Sequence, residues 1–170
     1  MKAIINTKLV MEEGIIWNGV VLYEDDKIVK VGKASEIEVP ADAEVLDAQG
    51  KYTAPGLIDI HNHGGGDWLF AENPEYCSKF FLKHGVTTVL PVVYFSMNKK
   101  DFIQATKDIQ AAVARGDLPN FGGFYMEGPY LNPKFGADRE NNPWKGPICK
   151  DEYQPVIDQV GTDAKVWVDA

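Results

Sequence analysis

The stretch APGLIDIHNHGGGDWLF, Ala54 to Phe70, is where the pattern of the sequence changes. Its Pro55-Gly56 pair is a chain breaker, Leu57 to His61 reads as an apolar strand, and two histidines one residue apart close that strand before three glycines. Strand side chains alternate between faces, so His61 and His63 are expected on one side. They also stand at the C-terminal end of the strand, where parallel α/β folds gather their sites. Two converging imidazoles suit Zn²⁺ or a similar ion. Gly64, Gly65 and Gly66 would let the backbone turn and leave room for a ligand.

Upstream of Pro55 the sequence predicts short strands. KAIIN (2–6), GIIWNGVVLY (14–23) and KIVKVG (27–32) are rich in Ile and Val, with turn residues EDD between the last two. A loop, a further strand and a turn at Gln49-Gly50 follow, giving a small β-sandwich portion or sheet over residues 1–54.

Downstream, over residues 55–170, strands alternate with helices. Asn73 is the expected N-cap of a helix with Pro74 at its first position and Gly85 just past its end. VTTVLPVVYF (86–95) is the next strand. Ser96 is the expected cap of a second helix, which carries Phe102, Thr106, Ile109 and Val113 at helical spacing. FGGFYME (121–127) is a third strand, followed by a Pro- and Gly-rich loop from Gly128 to about Ile148. A helix over DEYQPVIDQV and a fourth strand, KVWVD (165–169), complete the pattern. Such repetition means a parallel sheet covered by helices. Four βα-type strands are half of a (β/α)₈, or TIM, barrel, which needs ~250 residues, whereas 115 follow Pro55. The expectation is a fragment of a longer enzyme, a half-barrel completed by another chain, or an open sheet.

Composition narrows the function. The net charge of −8 argues against a nucleic-acid partner, which requires a basic face. No apolar run approaches the ~18 residues of a membrane span, and the N-terminus does not read as a signal peptide. Cys77 and Cys149, the two cysteines, stand in unrelated contexts and suggest reduced thiols in a cytoplasmic protein. There is no Walker, dinucleotide or nucleophile-elbow motif.

Glu127 ends the third strand before Gly128-Pro129. Inward side chains of alternate barrel strands share a layer, so His61, His63 and Glu127 could meet, with Glu127 as a third ligand or as a general base. Asp59 shares the expected side of His61 and is either a support for it or a buried polar residue. Tyr125 would sit one layer deeper, bonded to the carboxylate or packed in the core. In the loop, Asp138 to Asn142 either bind substrate or are solvated. His84 suits a helix C-terminus.

TAPGLIDIHNHG resembles the first-strand metal motif of the amidohydrolase superfamily, GKYTAPG its entry from the N-terminal β-sandwich, and HGVTTVLPV its second strand. GFYMEGPYLNPKFGA resembles the Glu-Gly-Pro segment of the N-acetylglucosamine-6-phosphate deacetylases. The resemblance implies the first half of a metal-dependent-hydrolase barrel and hydrolysis of the acetamide of an N-acetyl amino sugar. It also implies one or two divalent ions, zinc foremost. Glu127 matches the principal metal ligand, His61 and His63 the second-metal pair, and Ala137 and Asp138 the sugar contacts. Tyr125 and Asp138 stand where the family usually has histidines. No catalytic residue is assigned, because the family's catalytic aspartate and remaining metal histidines come from later strands. The chain is therefore expected to be inactive alone. The alternatives are another amidohydrolase, such as a cyclic amidase or deaminase, and a non-catalytic half-barrel that binds metal or sugar. A homo-oligomer is expected, with a small-molecule partner and neither nucleic acid nor membrane.

Overall fold

The computed structural model describes residues 1–94, 96–132, 134 and 140–168. The chain divides into two units, Met1–Pro55 and Gly56–Ala170. Ala137 and Asp138, the expected sugar contacts, lie outside the described residues.

In the first unit, β1 (Lys2–Met11), β2 (Gly14–Glu24), β3 (Lys27–Lys33), β4 (Glu44–Asp47) and β5 (Tyr52–Thr53) form one sheet. Its order is β3-β2-β1-β4, with β5 also on β1. The hairpins β1–β2 and β2–β3 are antiparallel, and β4 and β5 run parallel to β1. This is one layer. Its core of Ala3, Val20 and Leu22 is closed by Ile37, with Ala34, Val39 and Ala43 packed around it, rather than by a second sheet among the described residues. Strand β1 continues five residues beyond KAIIN. Asn6 takes a φ of 52° at a register shift, and the strand resumes at buried Thr7. The Thr7 hydroxyl donates to the Lys51 carbonyl at 2.9 Å.

The second unit carries the alternation. Strands β6 (Leu57–Asn62), β9 (Val86–Tyr94), β10 (Phe124–Glu127) and β11 (Ala164–Val168) form a wholly parallel sheet, ordered β11-β10-β9-β6. Helices α1 (Pro74–Lys83), α2 (Lys99–Ala114) and α3 (Lys150–Val160) occupy the three crossovers. The strand order is sequential, without the reversal of a doubly wound sheet. Between β6 and α1 the strands β7 (Gly64–Gly65) and β8 (Trp68–Leu69) make a small antiparallel hairpin.

One face of the parallel sheet packs on the helices. Val89, Val93 and Met126 meet Cys77 of α1, Phe102, Ile109 and Ala112 of α2, and Val156 and Val160 of α3, all buried. The expected stripe of α2 is present, with Phe102, Thr106 and Ile109 buried and Val113 partly so. Asn73 caps α1, its side chain accepting from the Tyr76 N–H at 3.1 Å, and Gly85 follows at φ 81°. The cap of α2 is Asn98 rather than Ser96. Its side chain accepts from the Asp101 N–H at 3.1 Å and donates to the Asp101 carboxylate at 2.6 Å, a reciprocal pair that Ser96 is too far upstream to make.

The segment from Gly128 to Cys149 holds no helix or strand among its described residues. Its anchor is buried Trp144, which donates to the Met97 carbonyl at 2.7 Å and packs edge-to-face on Phe102 and Tyr130. Asn142, weighed above as a substrate contact, is buried beneath it. Its amide donates to the Leu131 carbonyl and its oxygen accepts the Trp144 N–H.

Candidate metal centre

The face of the parallel sheet opposite the helices ends in the residues of interest. Register pairs Tyr125 with Val92 and Glu127 with Tyr94, and Met126, between them, points to the helices. Tyr125, Glu127 and Tyr94 therefore share the other face. Strand β6 reaches the same place by an irregular route. Asp59 pairs with Val89 and Asn62 with Pro91, so β6 has one residue more than β9 over this interval. That bulge brings Asp59 and Asn62 together, and the Asn62 amide donates to the Asp59 carboxylate at 2.6 Å. The other Asp59 oxygen accepts the His61 backbone N–H at 3.1 Å. Asp59 thus supports the strand backbone at His61 and leaves the imidazole to other partners. The side-chain oxygen of Asn62 is buried without a hydrogen-bond partner among the described residues.

His61, His63 and Glu127 converge as the sequence suggested. One ligand atom from each lies within 4.8 Å of the others. His63 Nε2 is 3.6 Å from a Glu127 carboxylate oxygen. Bonds of ~2.0 Å in a tetrahedral shell set ligand atoms ~3.3 Å apart, so this pair is close to ligating separation. Two imidazoles and a carboxylate are a donor set that divalent transition metals accept. Burial holds the His63 imidazole below its usual pKa, against the opposing pull of the Glu127 charge, with His61 adding to the depression. The ring is therefore neutral at pH 7, the form that binds a metal. The residues present fit a divalent ion.

The rings around the cluster form a chain. Tyr125 packs edge-to-face on His61 with centroids 4.5 Å apart, His61 on His63 at 5.3 Å, and His63 on Tyr94 at 5.2 Å. For Tyr125 the sequence left a bond to the carboxylate and core packing both open; its ring packs on the His61 imidazole. Tyr94 was not singled out in the sequence. Its register opposite Glu127 would have pointed to it.

The three glycines after His63 serve packing rather than ligand space. A Cβ on Gly64 would stand 2.2 Å from the Trp68 carbonyl oxygen, and one on Gly65 2.6 Å from the Phe80 ring. Gly66 turns the hairpin at φ 66°. The hairpin holds the end of the site, since the His63 carbonyl accepts the Phe70 N–H at 2.9 Å. His84 stays outside the cluster, its Nδ1 2.8 Å from the Phe80 carbonyl oxygen at the end of α1.

No family model matches the chain. N-acetyl-D-glucosamine-6-phosphate deacetylase from Mycobacterium smegmatis superposes over 100% of the chain and 47% of its own, with a TM-score of 0.76 at 20% identity. The corresponding deacetylase from Pasteurella multocida covers 93% of the chain and 42% of its own, with a TM-score of 0.67 at 22% identity. Curated relatives match locally. Imidazolonepropionase from Geobacillus sp. (strain WCH70) is 48% identical over 97 residues, 54% of this chain and 20% of its own. Adenine deaminase from Clostridium perfringens (strain ATCC 13124) is 40% identical over 72 residues, 42% of this chain and 12% of its own. The chain thus spans about half the length of the structures it matches, and the aligned segments are a fifth or less of the curated relatives. In fold, the chain is similar over its whole length to the N-terminal part of the N-acetylglucosamine-6-phosphate deacetylases, and its relatives are hydrolytic amidohydrolases.

Proposed function

We propose that this chain provides the first- and third-strand ligands, His61, His63 and Glu127, of a metal-dependent amidohydrolase acting on the acetamide of N-acetylglucosamine-6-phosphate or a similar N-acetyl amino sugar. The observation that carries the metal reading is the convergence of these three groups at one end of the sheet. The amino-sugar substrate is supported by the deacetylase neighbours, which match along the whole chain. A bound divalent ion, zinc foremost, would supply Lewis-acid polarisation of the amide carbonyl and an acidified water. The chain's own residues divide the work: His61 and His63 offer imidazole nitrogens at the C-terminal end of β6. Glu127, partly buried and 3.6 Å from His63 Nε2, brings negative charge that would offset the ion's.

A second reading, a cyclic-amide hydrolase or deaminase, is favoured by the local identity to adenine deaminase, imidazolonepropionase and dihydroorotase. One experiment separates them. The zinc-loaded chain is titrated with N-acetylglucosamine-6-phosphate, adenine and dihydroorotate while the His61 and His63 imidazole signals are followed by NMR, and acetate release is assayed in parallel. The proposal expects saturable displacement by the amino sugar alone, with negligible acetate release from these 170 residues. Displacement by adenine or dihydroorotate in its place would transfer the assignment to the second reading. Acetate release at the rate of a complete deacetylase would overturn the partial-centre account.

A further inference from the structure

We infer that Tyr94 and Tyr125 are positioning residues for the metal ligands, acting through the rings that pack on the imidazoles. The inference rests on the metal-site reading above and adds two residues to it.

An imidazole at a strand end has two free torsions, and a ligand must hold both within a narrow range to present its nitrogen. Metal-binding histidines are usually fixed by a hydrogen bond from the second ring nitrogen to a carboxylate or carbonyl. Asp59, the nearest carboxylate in sequence, is engaged by the His61 backbone N–H and the Asn62 amide. What flanks the two imidazoles instead is aromatic. Tyr125 lies against His61 at 4.5 Å with the planes at 76°, and Tyr94 against His63 at 5.2 Å with the planes at 74°. The imidazoles meet each other at 5.3 Å and 71°. All three contacts are in the edge-to-face range favoured by ring quadrupoles, worth about 0.5–1.5 kcal/mol for a full aromatic pair.

The backbone explains why the tyrosines can do this. Tyr94 and Tyr125 lie on neighbouring parallel strands, and both project on the face opposite the helices. Both are partly buried. They therefore bracket the pair from the β9 and β10 side, where the sheet is held by buried Val92, Val93 and Met126. On the other side β6 is a sheet edge, with Leu57, Ile58 and Ile60 exposed, and supplies less restraint.

The test uses the 170-residue chain and the variants Tyr125→Phe, Tyr125→Leu, Tyr94→Phe and Tyr94→Leu, with folding checked by circular dichroism. Without metal, at fixed pH, imidazole carbon–proton spectra should show His61 and His63 displaced from free-histidine positions by ring currents. The displacement should persist in the Phe variants and collapse for the neighbouring histidine in each Leu variant. Titrated with Co²⁺ and followed by its visible absorption, the Phe variants should bind within about twofold of the parent. The Leu variants should bind about 10-fold or more weakly, the range found when ligand-orienting partners are lost.

Leu variants with parent-like imidazole signals and parent-like Co²⁺ affinity would overturn the inference. Phe variants as weak as the Leu variants would overturn its ring-based form and assign the effect to the hydroxyls. The metal reading fails separately. Ordered, ring-shifted imidazoles in a chain that binds no Co²⁺ would leave the aromatic contacts standing and remove the ligand role.

Discussion

Gly64→Ala puts the account of the glycine run under direct strain. Any Cβ at residue 64 meets the Trp68 carbonyl oxygen at 2.2 Å and the Leu69 Cα at 2.6 Å. Both are backbone atoms of the paired strand, so no rotamer change relieves the contact. Ordinary carbon–oxygen approach is more than 3 Å, so the strands must part by about 1 Å, at the upper end of overpacking costs of about 2–3 kcal/mol. Unfolding entropy of about 2.1 cal/mol/K per residue over the 115 residues of Gly56–Ala170 amounts to about 0.24 kcal/mol/K, so Tm should fall by about 8–12 °C. Differential scanning calorimetry gives the number. Gly146→Ala is the control, because nothing lies within 4 Å of its Cβ position and its φ is unremarkable for any residue. It should leave Tm within about 2 °C. Because the hairpin bonds back to the His63 carbonyl, Gly64→Ala should also weaken Co²⁺ binding. A Gly64→Ala protein with the parent's Tm and affinity would refute the packing role and restore the sequence reading of open space.

Further outcomes follow from the packing. Asn98→Ala should cost about 1 kcal/mol by chemical denaturation through loss of the α2 cap, whereas Ser96→Ala should cost little. Ile109→Ala should destabilise by about 2–5 kcal/mol, since the side chain is fully buried beneath the sheet. The thiols should differ in kind: Cys149 is exposed and should react with a disulfide reagent at once, while buried Cys77, whose thiol donates to the Trp68 carbonyl at 3.2 Å, should wait for unfolding. Burial raises the Cys77 pKa above its ordinary 9.0, so the folded state retains its proton. That stabilisation is complete below the unfolded value and is lost as pH rises through the folded one, which predicts Tm falling above about pH 9 more steeply than in Cys77→Ala.

The βα alternation was legible because its signals are local. Strand β9 is buried over most of its length and reads as an apolar run, and Asn73, Pro74 and Gly85 mark the ends of α1 through backbone chemistry within a few residues. The convergence of His61, His63 and Glu127 was legible too, because strand alternation and barrel layering carry side-chain direction. What escaped depends on partners distant in sequence or on broken alternation. The bulge in β6 brings Asp59 onto the His61 backbone N–H and the Asn62 amide. The packing of Gly64 and Gly65 is set by β8 and α1, not by neighbours in the chain. Tyr94 and Tyr125 flank the imidazoles through a register that only the paired strands define. The sequence reading placed the α2 cap at Ser96, and the reciprocal contact of Asn98 with Asp101 puts it two residues further on.

The central claim is a metal centre built from β6 and β10. Its most direct measurement is the stoichiometry and affinity of Zn²⁺ for the purified chain by isothermal titration calorimetry, alongside Glu127→Ala and His63→Ala. Site energies of about 10–16 kcal/mol shared among four ligands give about 2.5–4 kcal/mol for each, so each loss should weaken binding on the order of 10²–10³-fold. The account predicts saturable Zn²⁺ binding by the parent chain and losses of that size in both variants, with His84→Ala unchanged. Zinc bound equally by the parent and both variants, or not bound by the parent at all, would contradict it.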